Sequence, residues 1–416
     1  MSTKLVDCYM TNLNWIALSI GGFLFFIGLE YVISRRTGKN YFQFAESIAN
    51  LNIGVAERLL DIFVTGLFYF FFDYIYRNFA LWHFEPKWYT WFLLFLATDF
   101  VWYWYHRLAH EVNILWAAHV VHHQSEDFNY TVSARITVFQ AAARSLFWAV
   151  LPLAGFPPAM ITSLLLVHGL YPFFIHTQTI GKLGILEYFM VTPSHHRVHH
   201  SSNEAYLDKN YGDVLIIWDK MFGTFTPERD EEPCVYGLTK PLKSHSFLWQ
   251  QFHFMLELLT AFRRAVSWKA RWKVVFGKPD DIDPEIRGQL EEVWLRKTKV
   301  RKQTKFQRIY IIIQTIISIS LLFVATLLEA YIPVGLNVFI VLFILISLVN
   351  TGAILEQKKW FFYLEYARMM LIAVTFLIYF PHLYVFASVL LFAGLLTFYF
   401  SRIEKSLHRL LFQRTR

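Results

Sequence analysis

His106-Arg-Leu-Ala-His110, His119-Val-Val-His122-His123 and His196-Arg-Val-His199-His200 stand in one segment of a 416-residue chain. An α-helix turns once per 3.6 residues, so positions i, i+3 and i+4 share a face. Read that way, the first group presents two imidazoles on one side of a helix, and the other two groups present three each. A single histidine is ordinarily a surface or hydrogen-bonded residue. Eight in three groups are different. Each added imidazole makes protonation of its neighbours costlier, and a cluster of neutral imidazoles is what a divalent cation needs. Eight nitrogens are too many for one metal with ordinary coordination and suit two metals with about four each.

The chain is 56% hydrophobic and 19% aromatic, with 42 Phe, 22 Tyr and 14 Trp, and only 17% charged, against about 25% in soluble domains. That balance indicates an integral membrane protein. The net charge is +8, but the Lys and Arg sit mostly between apolar runs. The positive-inside bias explains them, and no nucleic-acid partner is indicated. Cys8 and Cys234 lie far from each other and from the histidine groups, so neither a disulfide framework nor sulfur ligation follows. The first apolar run has no basic region before it and is followed by Arg35 and Arg36. It reads as a retained span rather than a cleaved signal.

Nine apolar runs are long enough to cross about 30 Å of hydrocarbon at 1.5 Å per residue. They are about 15–33, 59–76, 88–105, 136–154, 158–175, 309–328, 334–351, 360–380 and 383–400. Trp82, Trp88, Tyr89 and Trp91 read as an aromatic belt at the start of the third. Gly155-Phe156-Pro157-Pro158 breaks the fourth from the fifth, giving a helical hairpin. Parity then tests the metal reading. The third run delivers the first two histidine groups to one side of the membrane. The hairpin leaves that side and returns to it, so the third group arrives beside them. Arg35, Arg36 and Lys39 share that side and the hairpin turn has no Lys or Arg, which makes the side cytoplasmic.

The expected fold is an all-α integral membrane protein. It has about nine transmembrane helices and a histidine-rich helical cap on the cytoplasmic face, holding a dimetal site. The expected divisions are an N-terminal span and loop (1–47), the histidine domain (48–226), a cytoplasmic linker region (227–307) and a C-terminal transmembrane region (308–416). Basic residues run from Lys297 to Lys305 and recur in the tail at Arg402, Lys405, Arg409, Arg414 and Arg416.

Imidazole-only ligation suits Fe, Zn or Cu. Structural zinc takes four ligands, often with Cys. Carboxylate di-iron bundles use Glu-x-x-His pairs, which the cluster region lacks. An all-nitrogen dimetal centre at the membrane surface implies oxygen activation beside a lipid. A histidine-rich metal transporter, the reading from another class, would hold its ligands near the bilayer midplane on broken helices. Here they stand in polar segments at the ends of spans.

The motifs carry a resemblance. His106-Arg-Leu-Ala-His110-Glu111-Val-Asn113, His122-His123-Gln-Ser-Glu-Asp127-Phe-Asn129, Pro193-Ser-His-His-Arg-Val-His-His200, Asp208-Lys-Asn-Tyr-Gly212 and Trp218-Asp-Lys-Met-Phe-Gly-Thr224 resemble the fatty acid hydroxylase/sterol desaturase superfamily. Within it they look like the alkylglycerol monooxygenases, over about residues 50–226. The resemblance implies a non-haem di-iron monooxygenase that acts on membrane lipid with molecular oxygen. In that family the ether-linked carbon of an alkylglycerol is hydroxylated, and the hemiacetal collapses to a fatty aldehyde. A sterol, carotenoid or fatty-acyl hydroxylase or desaturase would share the same ligand set.

Two iron ions are then expected on His106, His110, His119, His122, His123, His196, His199 and His200, with His176 at the end of the hairpin as a ninth ligand. The resemblance gives Glu111 a catalytic part, supporting a ligand from behind or meeting the pterin; the alternative is a solvated charge at a helix end. Asp127 and Asp219 are candidates to orient imidazoles from behind, joined on resemblance by Asn210. Residues that bind a cofactor are not indicated. His195 points about 100° away from His196 and is left out of the ligand set. His83, His168, His245, His253, His382 and His408 are read as structural, with His168 facing protein rather than lipid. No haem-binding domain or dinucleotide fingerprint stands out. Electrons are therefore expected from a separate donor: another protein, or an external reductant such as the family's tetrahydrobiopterin.

Overall fold

The computed structural model describes residues 3–295 and 302–412. Residues 297–301 of the basic stretch, Arg414 and Arg416 of the tail, and the side chain of Cys8 lie outside the described residues. Among the described residues the chain is helical, and extended backbone pairs only at two isolated bridges, Met190 with Leu215 and Ser201 with Tyr236. The first helices are α1 (Thr3–Arg36), α2 (Phe44–Phe79), α3 (Trp88–Glu111) and α4 (Asn113–His119). Short helices follow: α5 (Tyr130–Ser133), α6 (Gln140–Trp148), α7 (Val150–Ala154), α8 (Pro158–His168), α9 (Tyr171–Ile175), α10 (Pro193–His199) and α11 (Ile217–Phe222). Then come α12 (Phe247–Arg264), α13 (Trp268–Phe276) and α14 (Glu285–Trp294). Last are α15 (Lys305–Leu327), α16 (Val334–Leu355), α17 (Phe361–Tyr379), α18 (Leu383–Phe398) and α19 (Phe400–Phe412).

Two compact units result. One comprises Ile27–Lys243 and Gln250–Lys297 and carries every grouped histidine. Helix α3 is its axis. Leu94, Thr98, Tyr105 and Ala109 are buried at steps of four, seven and four, a stripe that keeps to one side of a 3.6-residue helix. Leu94 packs with Phe72 of α2, Trp148 and Leu151 of α6 and α7, and Met160 and Ile161 of α8. The turn between the hairpin arms is made by Gly155, whose φ is +111°. A Cβ there would meet Trp82 O at 2.1 Å, so only glycine fits. Glu30 of α1 is buried and accepts from Tyr130 N at 2.8 Å and from the Thr177 hydroxyl. It thereby fastens α1 to the residue that follows His176.

The other unit comprises Met1–Phe26, Ser244–Trp249 and Thr298–Arg416. Its helices α15, α16 and α17 enclose a polar cluster. Arg368 donates to Glu365 Oε2 at 2.7 Å, to Ser347 Oγ at 2.9 Å and to Gln314, while Asn350 donates to Glu365 at 2.5 Å. In an apolar bundle such bonds hold helices together, because the lipid tails are as apolar as the side chains.

Among the described residues, six helical segments are long and apolar enough to cross a membrane: Ala17–Arg36, Phe44–Phe79, Pro158–Ile175, Lys305–Leu327, Val334–Leu355 and Phe361–Tyr379. A seventh arises if α18 and α19, bent by 71°, act as one. The protein is thus a multi-pass membrane protein, with fewer qualifying spans than the nine runs expected from the sequence. Two runs account for most of the difference. The run 136–154 folds as α6 and α7, nine and five residues long. That is about 14 and 8 Å, against roughly 30 Å of hydrocarbon. The break has a local cause: Pro152 has no N–H for Trp148 O, and its ring crowds that carbonyl. The run 88–105 does form a helix, but its Trp and Tyr content and Asp99 keep it below the hydropathy of a span.

Candidate metal centre

Helix α3 ends in the turn that carries His106 and His110, and Val112 is extended, so the chain bends before α4. Helix α4 ends at His119, and a tight 3-10 turn, Val120–Gln124, carries His122 and His123. His176 closes α9, and α10 carries His196 and His199 with His200 at its C-cap. Pro193 opens α10. Thr192 caps it in a reciprocal box with His195, which turns the His195 ring back toward the helix start.

These residues meet in two adjacent groups. His106, His110, His119, His123 and His199 form one, and His122, His176, His196 and His200 the other. Within each, one ring nitrogen per residue lies within 4.8 Å of all the others. The groups abut, with the rings of His123 and His200 stacked at 4.4 Å. The sequence motifs are therefore divided between the groups. His122 and His123 part because a 3-10 turn rotates successive residues by about 120°. His199 and His200 part because a helix rotates them by about 100°.

The far nitrogens have fixed partners. His106 Nδ1 donates to Tyr211 O at 2.8 Å, His122 Nδ1 to Arg135 O at 3.0 Å and His199 Nδ1 to Lys209 O at 2.9 Å. His176 Nδ1 donates to Pro172 O, and His119 Nδ1 to Gln140 Oε1 at 3.1 Å. Each partner is a pure acceptor, so a neutral ring must carry its proton on Nδ1 and its lone pair on Nε2. Yet Nε2 of His106 and of His119 lie 3.1 Å apart, and Nε2 of His122 and of His176 also 3.1 Å apart. Those are hydrogen-bond distances between two acceptors with no proton between them. The Nε2 atoms of His110, His199 and His200 are likewise buried without a hydrogen-bond partner. Converging lone pairs repel unless a cation lies among them, so this donor set fits metal ions.

Electrostatics favour the same state. Burial, reinforced by neighbouring imidazoles, pushes His119 down to about 3, and burial alone pushes His110 to about 3. Burial chiefly takes His176 to about 3. Burial and then the adjacent rings hold His106, His122, His123, His196, His199 and His200 well below the ordinary histidine range. At neutral pH all nine offer lone pairs.

The expected supporting residues are placed differently from one another. Asp219 accepts from Tyr211 N at 2.7 Å and Gly212 N at 2.8 Å, fixing the backbone whose Tyr211 carbonyl holds His106. Asn210, at φ +56°, donates to His195 O and Thr226 O and accepts from Thr226 N, clasping the start of α10. The Asp127 carboxylate accepts from Gln43 N at 2.6 Å, at the N-cap of α2. Glu111 pairs with Arg107 at 3.0 Å on the half-exposed end of α3 and belongs to neither imidazole group.

Further residues brace the site, a part that the sequence reading gave to none of them. Arg135 is fully buried; it donates to Val121 O at 2.7 Å, Asn50 Oδ1 at 2.8 Å and Gln124 Oε1 at 2.7 Å, bracing the turn that carries His122 and His123. His168 is buried between two carboxylates, with Nε2 3.1 Å from Asp99 and Nδ1 2.7 Å from Asp213. The second contact is short but off the line of a hydrogen bond, so it is an ionic contact. Asp99 also accepts from Val214 N, Leu215 N and Trp218 Nε1. His168 therefore faces protein, as expected, and locks the 211–218 loop behind His106. Both of its ring nitrogens are directed at carboxylates, so this trio is an ion-paired brace rather than a metal site. His168 and Asp99 each sit alone in an apolar run, and that isolation was the available signal.

Residues 91–224 match the fatty acid hydroxylase family model, which covers the first two histidine groups, the hairpin and the third group. The alkylglycerol monooxygenase of Homo sapiens is 36% identical over 355 residues, covering 80% of this chain and 77% of the relative. That of Danio rerio is 35% identical over 371 residues, 84% of this chain and 80% of the relative. The ornithine lipid hydroxylase OlsE of Rhizobium tropici is 29% identical over 192 residues, 45% of this chain and 53% of that one. No solved structure matches. Fold, site and family model together define a membrane-bound, oxygen-dependent hydroxylating oxidoreductase. Within that class, the chain belongs to the alkylglycerol monooxygenase family.

Proposed function

We propose that the enzyme is a di-iron lipid monooxygenase that hydroxylates the ether-linked carbon of an alkylglycerol. One iron is held by His106, His110, His119, His123 and His199, the other by His122, His176, His196 and His200. The observation that carries this is the facing of proton-free Nε2 atoms at 3.1 Å in both groups. The substrate class rests on the names of the relatives. Bound in this donor set, iron supplies the oxygen-activating redox chemistry. In the overall reaction, one oxygen atom of O2 enters the C–H bond beside the ether oxygen. The other leaves as water, taking two electrons and two protons. The hemiacetal then breaks its C–O bond, giving a fatty aldehyde and the glycerol hydroxyl.

The protein's own part is positional. The carbonyls of Tyr211, Arg135, Lys209 and Pro172 and the Gln140 amide orient five imidazoles with their lone pairs inward. Asp219 and Asn210 hold the loop that supplies the Lys209 and Tyr211 carbonyls, Asp127 fixes the entry of α2, and Glu111 pairs with Arg107 at the end of α3, one residue beyond His110. Electrons come from tetrahydrobiopterin or another external donor. Arg35 and Arg36 at the end of α1 support a cytoplasmic position for the site. The deciding experiment supplies alkylglycerol, oxygen and tetrahydrobiopterin to iron-loaded enzyme. Fatty aldehyde is expected. A hydroxylated acyl chain or sterol product instead would move the substrate to the other members of the superfamily.

A further inference from the structure

Helix α13, Trp-Lys-Ala-Arg-Trp-Lys-Val-Val-Phe, belongs to no candidate span and lies in the same unit as the histidines. At 100° per residue, Trp268, Trp272 and Phe276 fall within about 80° of one another. All three face outward, with exposures of 70%, 61% and 54%. Trp272 and Phe276 stack on each other at 4.9 Å. Lys269 and Lys273, both exposed, border this stripe on one side; Lys273 also lies 3.5 Å from Asp281 in the loop beyond, a surface pair worth little in water that a headgroup phosphate can replace. Val266, just before it, is fully exposed. A water-facing helix gains nothing from two exposed indoles and a phenyl ring in line. Indoles bordered by lysines are the composition of the bilayer's headgroup layer, which accepts both the ring and its N–H.

The opposite face is anchored to the site. Asn113 N donates to Gly277 O, and Asn113 Nδ2 to Val274 O, both at 2.9 Å. Asn113 is fully buried and stands three residues after His110. His176, at the other side of the imidazole groups, immediately follows the candidate span Pro158–Ile175. The site therefore lies at a membrane boundary, and α13 is held beside it.

We propose that α13 is an interfacial helix. It lays Trp268, Trp272 and Phe276 into the membrane surface and sets Lys269 and Lys273 on anionic lipid headgroups, so that the bilayer edge is fixed relative to the histidine site. This stands independently of the metal and of the substrate.

The test uses full-length protein in vesicles, in a Cys8→Ser/Cys234→Ser background. Nitroxide labels are placed at Trp272→Cys, Phe276→Cys or, as the aqueous control, Asp280→Cys, which is exposed in the loop beyond. Depth is read from the ratio of collisions with oxygen to those with a water-soluble nickel chelate. The labels at 272 and 276 are expected at headgroup depth and the label at 280 in water. Adding phosphatidylserine to phosphatidylcholine vesicles should deepen the label at 272, and Lys269→Glu/Lys273→Glu should abolish that deepening. Labels at 272 and 276 as aqueous as that at 280 would overturn the proposal. So would a label at 272 that is aqueous in vesicles and becomes immobilised on adding a soluble acidic electron-transfer protein, which would make α13 a protein-docking face. A deepening that survives charge reversal would overturn the headgroup contact.

Discussion

His122 and His176 are 54 residues apart in the chain, yet their Nε2 atoms face each other at 3.1 Å while each Nδ1 donates to a backbone carbonyl. Two lone pairs so placed suit a cation between them. His176→Ala should therefore remove metal from the four-nitrogen group and lower turnover by at least about 100-fold. His83→Ala, at an exposed position, should leave both unchanged. Metal content and oxygen-dependent turnover of the two variants check this, and equal loss in both would contradict it.

Gln140 meets the site through His119 Nδ1. Gln140→Leu keeps the volume roughly and removes the acceptor that fixes the ring and its tautomer. Metal affinity should fall roughly 10- to 100-fold with the helix content intact. A chelator competition series alongside circular dichroism measures both.

The brace formed by Asp99, His168 and Asp213 should show itself in stability. His168→Phe leaves two buried carboxylates without their cation, a loss of about 3–5 kcal/mol for a broken buried pair. The unfolding midpoint should drop clearly. The double change Asp213→Asn/His168→Gln should recover part of that loss. No recovery would mean that packing rather than charge holds the trio.

The imidazoles also give a signed pH dependence. Folding holds His110, His119 and His176 down near 3, by burial first, whereas unfolded chains titrate near 6.5. Between those values the unfolded state binds more protons, so stability falls as pH drops below about 6.5 and the loss is complete below about 3. Chelator-treated protein should lose thermal stability steadily from pH 6.5 to 5. A flat profile over that window would contradict the neutral, buried site.

Much of this was legible in the sequence. The histidine spacing pointed to convergent imidazoles, and the family resemblance added His176 at the end of the hairpin's second arm. What spacing cannot give is which groups share a centre. Partition into five and four depends on a 3-10 turn at Val120–Gln124 and on the docking of α10, both tertiary outcomes. The hairpin's first arm was misjudged in length because average hydropathy does not register what Pro152 does to Trp148 O. Arg135 and Gln140 carry no local signal, since what they touch, the Val121 carbonyl, Asn50 and Gln124 for one and His119 for the other, is brought to them by the fold. Asp99 and His168 are 69 residues apart, and nothing local pairs them.

The most direct test of the central claim is the metal content and oxidation state of the purified, detergent-solubilised protein, read by elemental analysis with Mössbauer spectroscopy. Two redox-active irons per chain are expected, falling when His122 is replaced by alanine. A single tightly held zinc with no redox-active iron would contradict it.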